Sequence, residues 1–346
     1  MTGDHINTLD FLEIGALLPK RALSLPISKA SGSRVLLTGA TGLIGLNILA
    51  LLSEIQRQSG TEFELITTSN SPLPLFLPEN QLFKKHKIFN LASKVDFSSL
   101  GKFDFIIHSG GSAQPRDFMS KKYETFIINS YVTKELLDLL NPGGHFVFMS
   151  STELYSGLQK DLFAESDIGS SSPTHPRACY IEGKRAGEMF VHWKIADGFK
   201  ASSVRLSYTY GPGTKPNDLR VINDLIKDAI TRGETKLRDS VMAVRSNLFS
   251  IDAAHMILQI LLSPNRAVYN VASTETCTIK DIAKEVALIG NLQFEEQTSR
   301  EQINLAAQDH VAIDTTAYFE DFPGFENCPL REGLAITYNW QHKHLY

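Results

Sequence analysis

The chain has 346 residues, of which 42% are hydrophobic and 21% are charged, so it can bury the core of one large domain or of a large domain and a small one. Its net charge is -4 at pH 7 and it contains no long basic run, which argues against nucleic acid and an anionic membrane as partners. A small-molecule ligand is the expectation that this leaves.

The three cysteines give no sign of a metal site or a disulfide framework. Cys179, Cys277 and Cys328 are odd in number, widely separated and without metal-ligand spacing. Thiols in this arrangement are typical of a reducing compartment, so we expect a cytoplasmic protein without a bound metal. No apolar run is long enough to cross a bilayer.

Residues 1–33 are predicted to form an N-terminal extension. They carry acidic residues early and lack the basic start and apolar core of a signal peptide. Leu9, Leu12 and Ile14 indicate a short amphipathic helix that packs on the main body, and the stretch SKASGS that follows is typical of a linker. The role expected of this extension is structural.

From Arg34 onwards, apolar runs alternate with amphipathic segments, which is typical of a parallel sheet covered by helices. The runs are RVLLTG, FELITT, FDFIIHSG, HFVFMSS, KASSVRL and AVYNVAS. The predicted fold class is therefore α/β, a Rossmann-like doubly wound parallel sheet. The region after Tyr208 is more mixed, and we expect it to form a smaller C-terminal substrate-binding subdomain.

The first apolar run leads into a glycine-rich turn and then into a helix. Gly39, Gly42 and Gly45 permit a tight turn and let a pyrophosphate approach the backbone at the helix N-terminus. A strand before the turn and a helix after it are the context that this motif requires, so the sequence predicts dinucleotide binding. The alternative is a turn that is merely rich in glycine.

These features predict a division of the chain into three parts. The extension covers 1–33, and the dinucleotide-binding Rossmann domain covers 34–207 with a late strand and helix from 247–272. The substrate-binding subdomain is expected to consist of 208–246 and 273–346.

Tyr180 and Lys184 lie four positions apart in a predicted helix and therefore share one of its faces. A free phenol has a pKa near ~10, so a tyrosine that acts as a base near neutrality needs a lowered pKa. The ammonium of Lys184 could stabilise the phenolate. At this spacing alone, however, a solvated pair on the helix surface is the ordinary interpretation, and a catalytic role needs the support of other motifs.

Four motifs resemble, in their order, those of the short-chain dehydrogenase/reductase family. They are the Gly-x-x-Gly-x-x-Gly turn, the stretch IIHSGG, the stretch SSTELY, and the Tyr180–Lys184 pair; Asn129 lies where the family has a structural asparagine. The stretches VRLSYTYGPG, AVRSNLFSIDAA and AVYNVASTETCTIKDIAKEVA resemble the extended branch, which contains the nucleotide-sugar epimerases and dehydratases. PRACYIEGKRAGE and LRVINDLIKDAI are most similar to the UDP-glucuronate decarboxylase group.

The resemblance implies NAD as cofactor, a nucleoside-diphosphate sugar as substrate, and transient oxidation of the sugar at C4. The catalytic residues that it implies are Ser151, Tyr180, Lys184 and Glu153. The cofactor-binding residues that it implies are Gly39, Thr41, Gly42, Leu43, Ile44, Gly45, Ser69, Asn70, Ser109, Gly110, Tyr180 and Lys184. The substrate-binding residues that it implies are Thr152, Tyr208, Arg220 and Arg245. For Ser151 and Thr152, a polar cap between strand and loop is the alternative.

The chain departs from the decarboxylase pattern at three places. Asp309 and His310 stand where that group has a basic pair close to the sugar carboxylate, and an anion would meet a negative side chain there. Tyr208 replaces an asparagine that contacts the diphosphate. The loop after the second strand carries Ser69 and Asn70 but no acidic residue for the ribose hydroxyls, so NAD is favoured by mechanism more than by this loop.

We therefore expect a nucleotide-sugar epimerase first, a UDP-glucuronate decarboxylase-like enzyme second, and a nucleotide-sugar dehydrogenase or reductase third. A catalytically silent NAD-binding scaffold is the alternative from another class, and an RNA-binding relative is disfavoured because no basic face is evident. The resemblance also implies a homodimer that pairs through the helices of Asn129 and Tyr180. Apolar residues available for that contact are Ile127, Tyr131, Phe190 and Trp193.

Overall fold

The structure is a computed structural model that describes residues 11–77, 81–93, 95–235, 237, 241–294 and 309–346. Its strands are β1 (Arg34–Thr38), β2 (Glu64–Ser69), β3 (His86–Ile88), β4 (Phe103–His108), β5 (Leu140–Ser151), β6 (Lys200–Leu206), β7 (Tyr208–Tyr210), β8 (Val244–Arg245), β9 (Asn247–Phe249), β10 (Val268–Val271), β11 (Cys277–Thr278) and β12 (His310–Val311). Its helices are α1 (Leu17–Leu23), α2 (Leu43–Ser59), α3 (Pro115–Ser120), α4 (Lys122–Asn129), α5 (Tyr131–Leu137), α6 (Ala178–Ala196), α7 (Val221–Arg232), α8 (Ser250–Leu262), α9 (Ile279–Ile289), α10 (Thr316–Asp321) and α11 (Leu330–His344).

The main sheet has seven strands in the order β10-β6-β5-β4-β1-β2-β3, and each neighbouring pair is parallel. The chain leaves β1 towards β2 on one side and returns to β4 on the other, so the strand order reverses between β1 and β4. In open sheets of this kind, ligands bind outside the carboxyl ends of the strands at such a point. The predicted Rossmann-like doubly wound sheet is confirmed.

Both faces of the sheet are buried, which explains why its strands are apolar runs without alternation. Val35 and Leu37 of β1 belong to a core cluster shared with α2 and α8. Leu36, between them, belongs to a second cluster shared with α5 and α6. Neighbouring side chains on a strand point to opposite faces, and here each face meets a helical layer.

Two small sheets lie outside the main one. One joins β11, β8 and β12, and the other joins β7 and β9. They bring the segment after β6 next to Asp309, which directly precedes β12. Helices α7 and α9 pack on each other beside them. Among the described residues, no helix combines the length and the apolar character that a membrane crossing needs.

The N-terminal helix lies further along the chain than the sequence predicts. Helix α1 begins at Leu17, whereas Leu12 and Ile14 are buried in a turn before it, and Leu9 lies outside the described residues. Glu13 has a positive φ of 55°, which an α-helix does not accommodate. The spacing of Leu12 and Ile14 therefore reflects their burial against the rest of the protein and not a helix.

A buried ion pair fastens helix α1 to helix α8. The Arg21 guanidinium contacts the Asp252 carboxylate at 2.8 Å, and it also donates to the carbonyl of Glu326 at 2.6 Å. Its Cζ atom lies 4.5 Å from the centre of the Phe325 ring. Because Arg21 and Asp252 are both buried, removal of one would leave the other charge without compensation.

We predict that Arg21→Ala lowers the free energy of unfolding by about 3–5 kcal/mol, because it leaves the Asp252 carboxylate buried and unpaired. Chemical denaturation followed by circular dichroism measures the loss. Lys20→Ala is the matched control, since Lys20 is exposed on the same helix. Equal stability of Arg21→Ala and the parent protein would contradict the anchoring role.

Candidate active site

The glycine-rich turn connects β1 to α2 at the point where the sheet order reverses. Gly39 has a φ of +72°, and a Cβ atom on it would lie 2.6 Å from the carbonyl oxygen of Ser109. A Cβ atom on Gly45 would lie 2.8 Å from the Cα atom of Ala40. Gly42 is the N-cap of α2, and no side chain caps this helix. The turn is thus a bare backbone cradle that side chains would fill.

The end of β4 forms the opposite side of this cradle. Ser109 Oγ donates to the carbonyl of Thr38 at 2.6 Å, and the Gly110 amide donates to Thr38 Oγ1 at 3.0 Å. His108 Nδ1 lies 2.8 Å from the same hydroxyl, and burial lowers the pKa of His108 to about 3. These bonds fix Ser109 and Gly110 next to the glycine turn.

Hydroxyl groups occupy the end of β2, where an acidic residue is common in dinucleotide sites. Ser69 Oγ donates to the carbonyl of Ser71 at 2.5 Å and lies 3.1 Å from Nε2 of His86. Ser71 Oγ in turn donates to Thr41 Oγ1 at 3.2 Å. Asn70 is exposed at the tip of this loop. The predicted cofactor residues Ser69, Asn70 and Thr41 are therefore gathered on one side of the turn.

Tyr180 lies on α6 and is hydrogen-bonded to Ser151 at the end of β5. Its ring stacks on the ring of Phe118, with the centroids 4.6 Å apart and an interplanar angle of 14°. Both Tyr180 and Ser151 are buried, yet both line a cavity. The strand end and the helix thus present two hydroxyl groups to one space.

Lys184 lies one helical turn beyond Tyr180 and behind it. Its Nζ atom donates to the carbonyl of Met149, lies 4.9 Å from the centre of the Phe148 ring and lies 5.5 Å from the centre of the Tyr180 ring. The ammonium therefore faces the phenol from the interior of the protein, away from the cavity. The predicted pair, Tyr180 and Lys184, therefore lies together with Ser151 at the end of β5.

The pKa values of this pair differ from the sequence-based expectation. Burial raises the pKa of Tyr180 to about 12, against the opposing effect of its hydrogen bond with Ser151. Burial also lowers the pKa of Lys184 to about 7. The lowering of the phenol's pKa that is expected from Lys184 together with a positive nicotinamide ring stays a prediction, since in the protein alone burial outweighs the other influences on Tyr180.

Glu153 forms an ion pair with Arg177, the residue just before α6. Arg177 is buried and is also hydrogen-bonded to the side chain of Tyr208. Arg177 belongs to the stretch PRACYIEGKRAGE, but the sequence alone assigns it no role. Arg177 lies three residues before Tyr180, so its place at the start of α6 could be predicted. Its contact with Glu153 could not, because only the fold brings the two side chains together. Thr152, beside Glu153, is buried and donates to the carbonyl of Leu206 at 3.5 Å.

Arg245 and Arg220 also line the cavity, and each is held by different partners. Arg245 donates to the carbonyls of Val244 and Asp309 at 2.8 and 3.1 Å, and its Cζ atom lies 5.3 Å from the centre of the Tyr208 ring. Arg220 contacts the carboxylate of Asp218, with its terminal nitrogen 2.5 Å from Oδ2. Both arginines are fixed before any ligand binds, which lowers the entropy cost of holding an anion.

One cavity of about 380 Å³ brings most of the predicted catalytic and substrate residues together. Those that line it are Ser151, Thr152, Glu153, Tyr180, Tyr208, Arg220 and Arg245. Arg116, Arg177 and Asp309 line it as well. His310 is exposed, and its Nε2 atom lies 2.8 Å from the carbonyl of Asp161. Lys184 and the glycine turn do not line this cavity.

The residues at the β1–α2 turn fit a dinucleotide. Gly39 and Gly45 leave backbone unobstructed at the N-terminus of a 17-residue helix, whose dipole favours a pyrophosphate. A model of the NAD dependent epimerase/dehydratase family matches residues 35–272, which is more than half of the chain. The chain belongs to this family. The family prediction, the enzyme class and NAD as the cofactor are confirmed.

Several known proteins are similar to the chain along most of its length. UDP-glucuronic acid decarboxylase 1 of Xenopus tropicalis is 22% identical over 333 residues, which cover 92% of this chain and 74% of that protein. An epimerase of Methanothermobacter thermautotrophicus has a TM-score of 0.79 at 17% identity, covering 95% of this chain and 96% of that one. UDP-glucose 4-epimerase of Thermotoga maritima, solved with UDP-glucose, has a TM-score of 0.76 at 19% identity, covering 90% and 100%.

We predict that Lys184→Met stabilises the protein by about 1–4 kcal/mol at pH 6, as replacements of buried charges by apolar groups often do. Because burial holds the pKa of Lys184 near 7, below its ordinary value of about 10.4, protonation opposes folding below pH 7. That cost disappears as the pH rises from 7 to about 10, so the parent should gain stability there relative to the variant.

Urea unfolding between pH 6 and 9.5 measures this difference. Lys284→Met is the matched control, since Lys284 is exposed on α9. A variant of Lys184 that is less stable than the parent at every pH would contradict the prediction.

Proposed function

We propose that the chain is a nucleotide-sugar epimerase that oxidises its substrate transiently at C4. The observation that carries this proposal is the arrangement of Ser151 and Tyr180, which are hydrogen-bonded to each other on the wall of the cavity with Lys184 behind them. Ser151 lies at the carboxyl end of β5, and in the sheet β5 is separated by β4 from β1, which leads into the glycine turn. A carbohydrate alcohol in the cavity can thus reach a proton acceptor beside the cofactor site.

The residues proposed to hold NAD surround the glycine turn. They are Gly39, Thr41, Gly42, Leu43, Ile44, Gly45, Ser69, Asn70, Ser109 and Gly110, with Tyr180 and Lys184 at the nicotinamide end. When bound, NAD supplies a hydride acceptor and donor and a positive charge that favours an ionised phenol. Ser69 and Asn70 offer hydroxyl and amide groups to the ribose in place of a carboxylate.

Tyr180 is proposed to take the proton of the C4 hydroxyl as the C4–H bond gives up a hydride. Ser151 shares that proton through its hydrogen bond with the phenol. The base in this step is the phenolate, because a neutral phenol already carries the proton. Burial raises the pKa of Tyr180 to about 12 in the protein alone, so its ionisation would depend on the positive charge that bound NAD supplies. The phenol formed by the transfer then returns the proton in the reverse step. Inversion follows if the keto sugar turns over between the two steps.

The substrate-binding subdomain is proposed to comprise 208–246 and 273–346, opposite the Rossmann domain. Arg245 and Arg220 are suited to the two phosphates, because a guanidinium binds phosphate oxygens in pairs and both side chains are already fixed. Tyr208, which lies under Arg245, would contact the same diphosphate. Thr152 is next to Ser151 and lines the part of the cavity where the sugar is proposed to bind.

The groups around the sugar end favour epimerisation over decarboxylation. Asp309 lines the cavity, while His310 is directed to the carbonyl of Asp161 and does not line it. Glu153 already pairs with Arg177, so its carboxylate is compensated. The alternative is a UDP-glucuronate decarboxylase-like enzyme, which the similarity to UDP-glucuronic acid decarboxylase 1 of Xenopus tropicalis favours. For that reaction the carboxylate would need a cation, and Arg116, which lines the same cavity, is the candidate.

We predict that the protein epimerises at least one sugar from a panel of UDP-, GDP-, CDP- and dTDP-sugars, followed by NMR and mass spectrometry. Tyr180→Phe should lower kcat by about 10²- to 10⁴-fold, because it removes the proton acceptor without altering the NAD content. Tyr123→Phe is the matched control, since Tyr123 is 88% exposed.

Each other outcome of the panel selects a different function. Equal, nonzero activity of Tyr180→Phe and the parent would overturn the assigned base. Release of carbon dioxide from UDP-glucuronate would favour the decarboxylase, and net consumption of added NAD would favour a dehydrogenase. Absence of turnover in a protein that retains NAD would favour a catalytically silent scaffold.

We also propose a homodimer formed through α4 and α6. Ile127, Tyr131 and Trp193 are 38%, 56% and 53% exposed, and the Phe190 ring packs edge-to-face on Trp193 at 5.4 Å. Tyr131 is the first residue of α5, directly after α4. Exposed apolar side chains of this size are compatible with a protein interface. Three cysteines without disulfide bonds support a cytoplasmic location.

We predict that the parent sediments as a dimer at micromolar concentration and that Trp193→Asp converts it to a monomer, because a charge would be buried in the contact. Leu288→Asp is the control, since Leu288 is exposed on α9, away from this face. A parent protein that is monomeric at micromolar concentration would remove this proposal.

A further inference from the structure

Three consecutive residues at the end of β5 are bonded to three residues of α6. Lys184 donates to the carbonyl of Met149, and Tyr180 is hydrogen-bonded to Ser151. The middle contact lies outside the Tyr180–Lys184 pair, although Ser150 also lines the cavity: Ser150 Oγ donates to Oε1 of Glu188 at 2.6 Å. Residues spaced by four share a helix face, so Glu188 extends the face of the catalytic pair by one turn.

Arg205 fixes the carboxylate of Glu188 from the neighbouring strand. It pairs with Ser150 in the β5–β6 register, and its Nε and terminal nitrogens donate to the two oxygens of Glu188 at 3.0 and 2.9 Å. Arg205 also donates to the Tyr155 hydroxyl at 3.1 Å and to the carbonyl of Glu165 at 2.9 Å. Both side chains of the ion pair are largely buried. The carboxylate therefore has one defined position.

The charge of Glu188 acts on Lys184. Burial lowers the pKa of Lys184, and the nearby Glu188 carboxylate acts in the opposite direction. The other titratable groups that face the ammonium are Tyr180 on its own helix, His108 on β4, and Arg205 on β6 beyond Glu188. His108 and Tyr180 are neutral near pH 7, since their pKa values are about 3 and about 12.

We propose that Glu188 is a positioning residue of the active site, which clamps β5 to the catalytic helix through Ser150 and holds Lys184 in its ammonium form. This inference rests on the proposed function of Tyr180 and Lys184. An apolar residue at position 188 would fill the same space without the desolvation cost of a buried ion pair. The carboxylate is retained one turn from the ammonium, where its charge favours the protonated lysine.

The test is Glu188→Gln, which keeps the shape and the acceptor for Ser150 but removes the charge. The Lys184 titration, followed by NMR of selectively ¹³C-labelled lysine and assigned with Lys184→Met, should move down by about one pH unit. The alkaline limb of the kcat profile should move by the same amount. At pH values above that limb, the kcat of Glu188→Gln should be about tenfold below that of the parent, while its KM should differ from the parent's by less than twofold.

Two further variants separate the clamp from the charge. Ser150→Ala keeps the ion pair, so it should lower kcat several-fold and leave the Lys184 titration unchanged. Glu182→Gln removes a carboxylate that pairs with Arg185 on the exposed side of the same helix, and it should change neither quantity. If Glu188→Gln fails to fold because Arg205 is left unpaired, Glu188→Gln/Arg205→Met removes both charges and should still move the titration down.

An unchanged Lys184 titration in the Glu188 variants, an equal shift in Glu182→Gln, or full kcat in Ser150→Ala would overturn the inference. The NMR titration needs no substrate, so it decides the effect of Glu188 on Lys184 even if no nucleotide sugar turns over. Failure of the proposed reaction and failure of this inference are therefore distinguishable.

Discussion

Close packing of α6 against the sheet is the constraint on which the active site depends. A Cβ atom on Gly187 would overlap the ring of Phe148 on β5 and the backbone carbonyl of Asn129 on α4. Without a side chain at this position, the helix approaches closely enough for Lys184 to reach the carbonyl of Met149. The same approach buries Tyr180. Any residue larger than glycine would move the catalytic side chains away from the strand that carries their partners.

That burial also sets the electrostatics of the site. Taking an ammonium and a phenol out of water favours their neutral forms. Their charged forms are therefore stabilised only where groups of opposite charge lie nearby. The protein supplies such groups in ion pairs that surround the catalytic helix and the cavity, namely Glu153–Arg177, Glu188–Arg205 and Asp218–Arg220. In each pair at least one partner also bonds to another group, namely Arg177 to Tyr208, Glu188 to Ser150 and Asp218 to Thr214, so that partner is held in place. The site is consequently organised before a ligand arrives.

Much of the fold and the centre of the site could be predicted from the sequence because both follow from local patterns. The apolar runs specify strands buried on both faces, and the glycine turn and the Tyr180–Lys184 spacing are short-range signals. The N-terminal helix was misplaced because Leu12 and Ile14 are buried by tertiary contacts and not by helical periodicity. Arg177 was missed since its partner Glu153 lies 24 positions away, and only the fold joins them.

The pKa directions could not be read from the sequence for the same reason. Spacing places Lys184 beside Tyr180, but the degree of burial decides whether attraction or desolvation dominates, and burial is a property of the whole packed domain. The first chemical step and its outcome depend on different parts of the protein. The proposed oxidation at C4 would need only Ser151, Tyr180 and the glycine turn, which belong to the part of the chain that forms the main sheet and its helices. Whether a carboxylate is then lost depends on the far wall, where Asp309 disfavours an anion, and that wall belongs to the segment whose sequence departs most from the decarboxylase pattern.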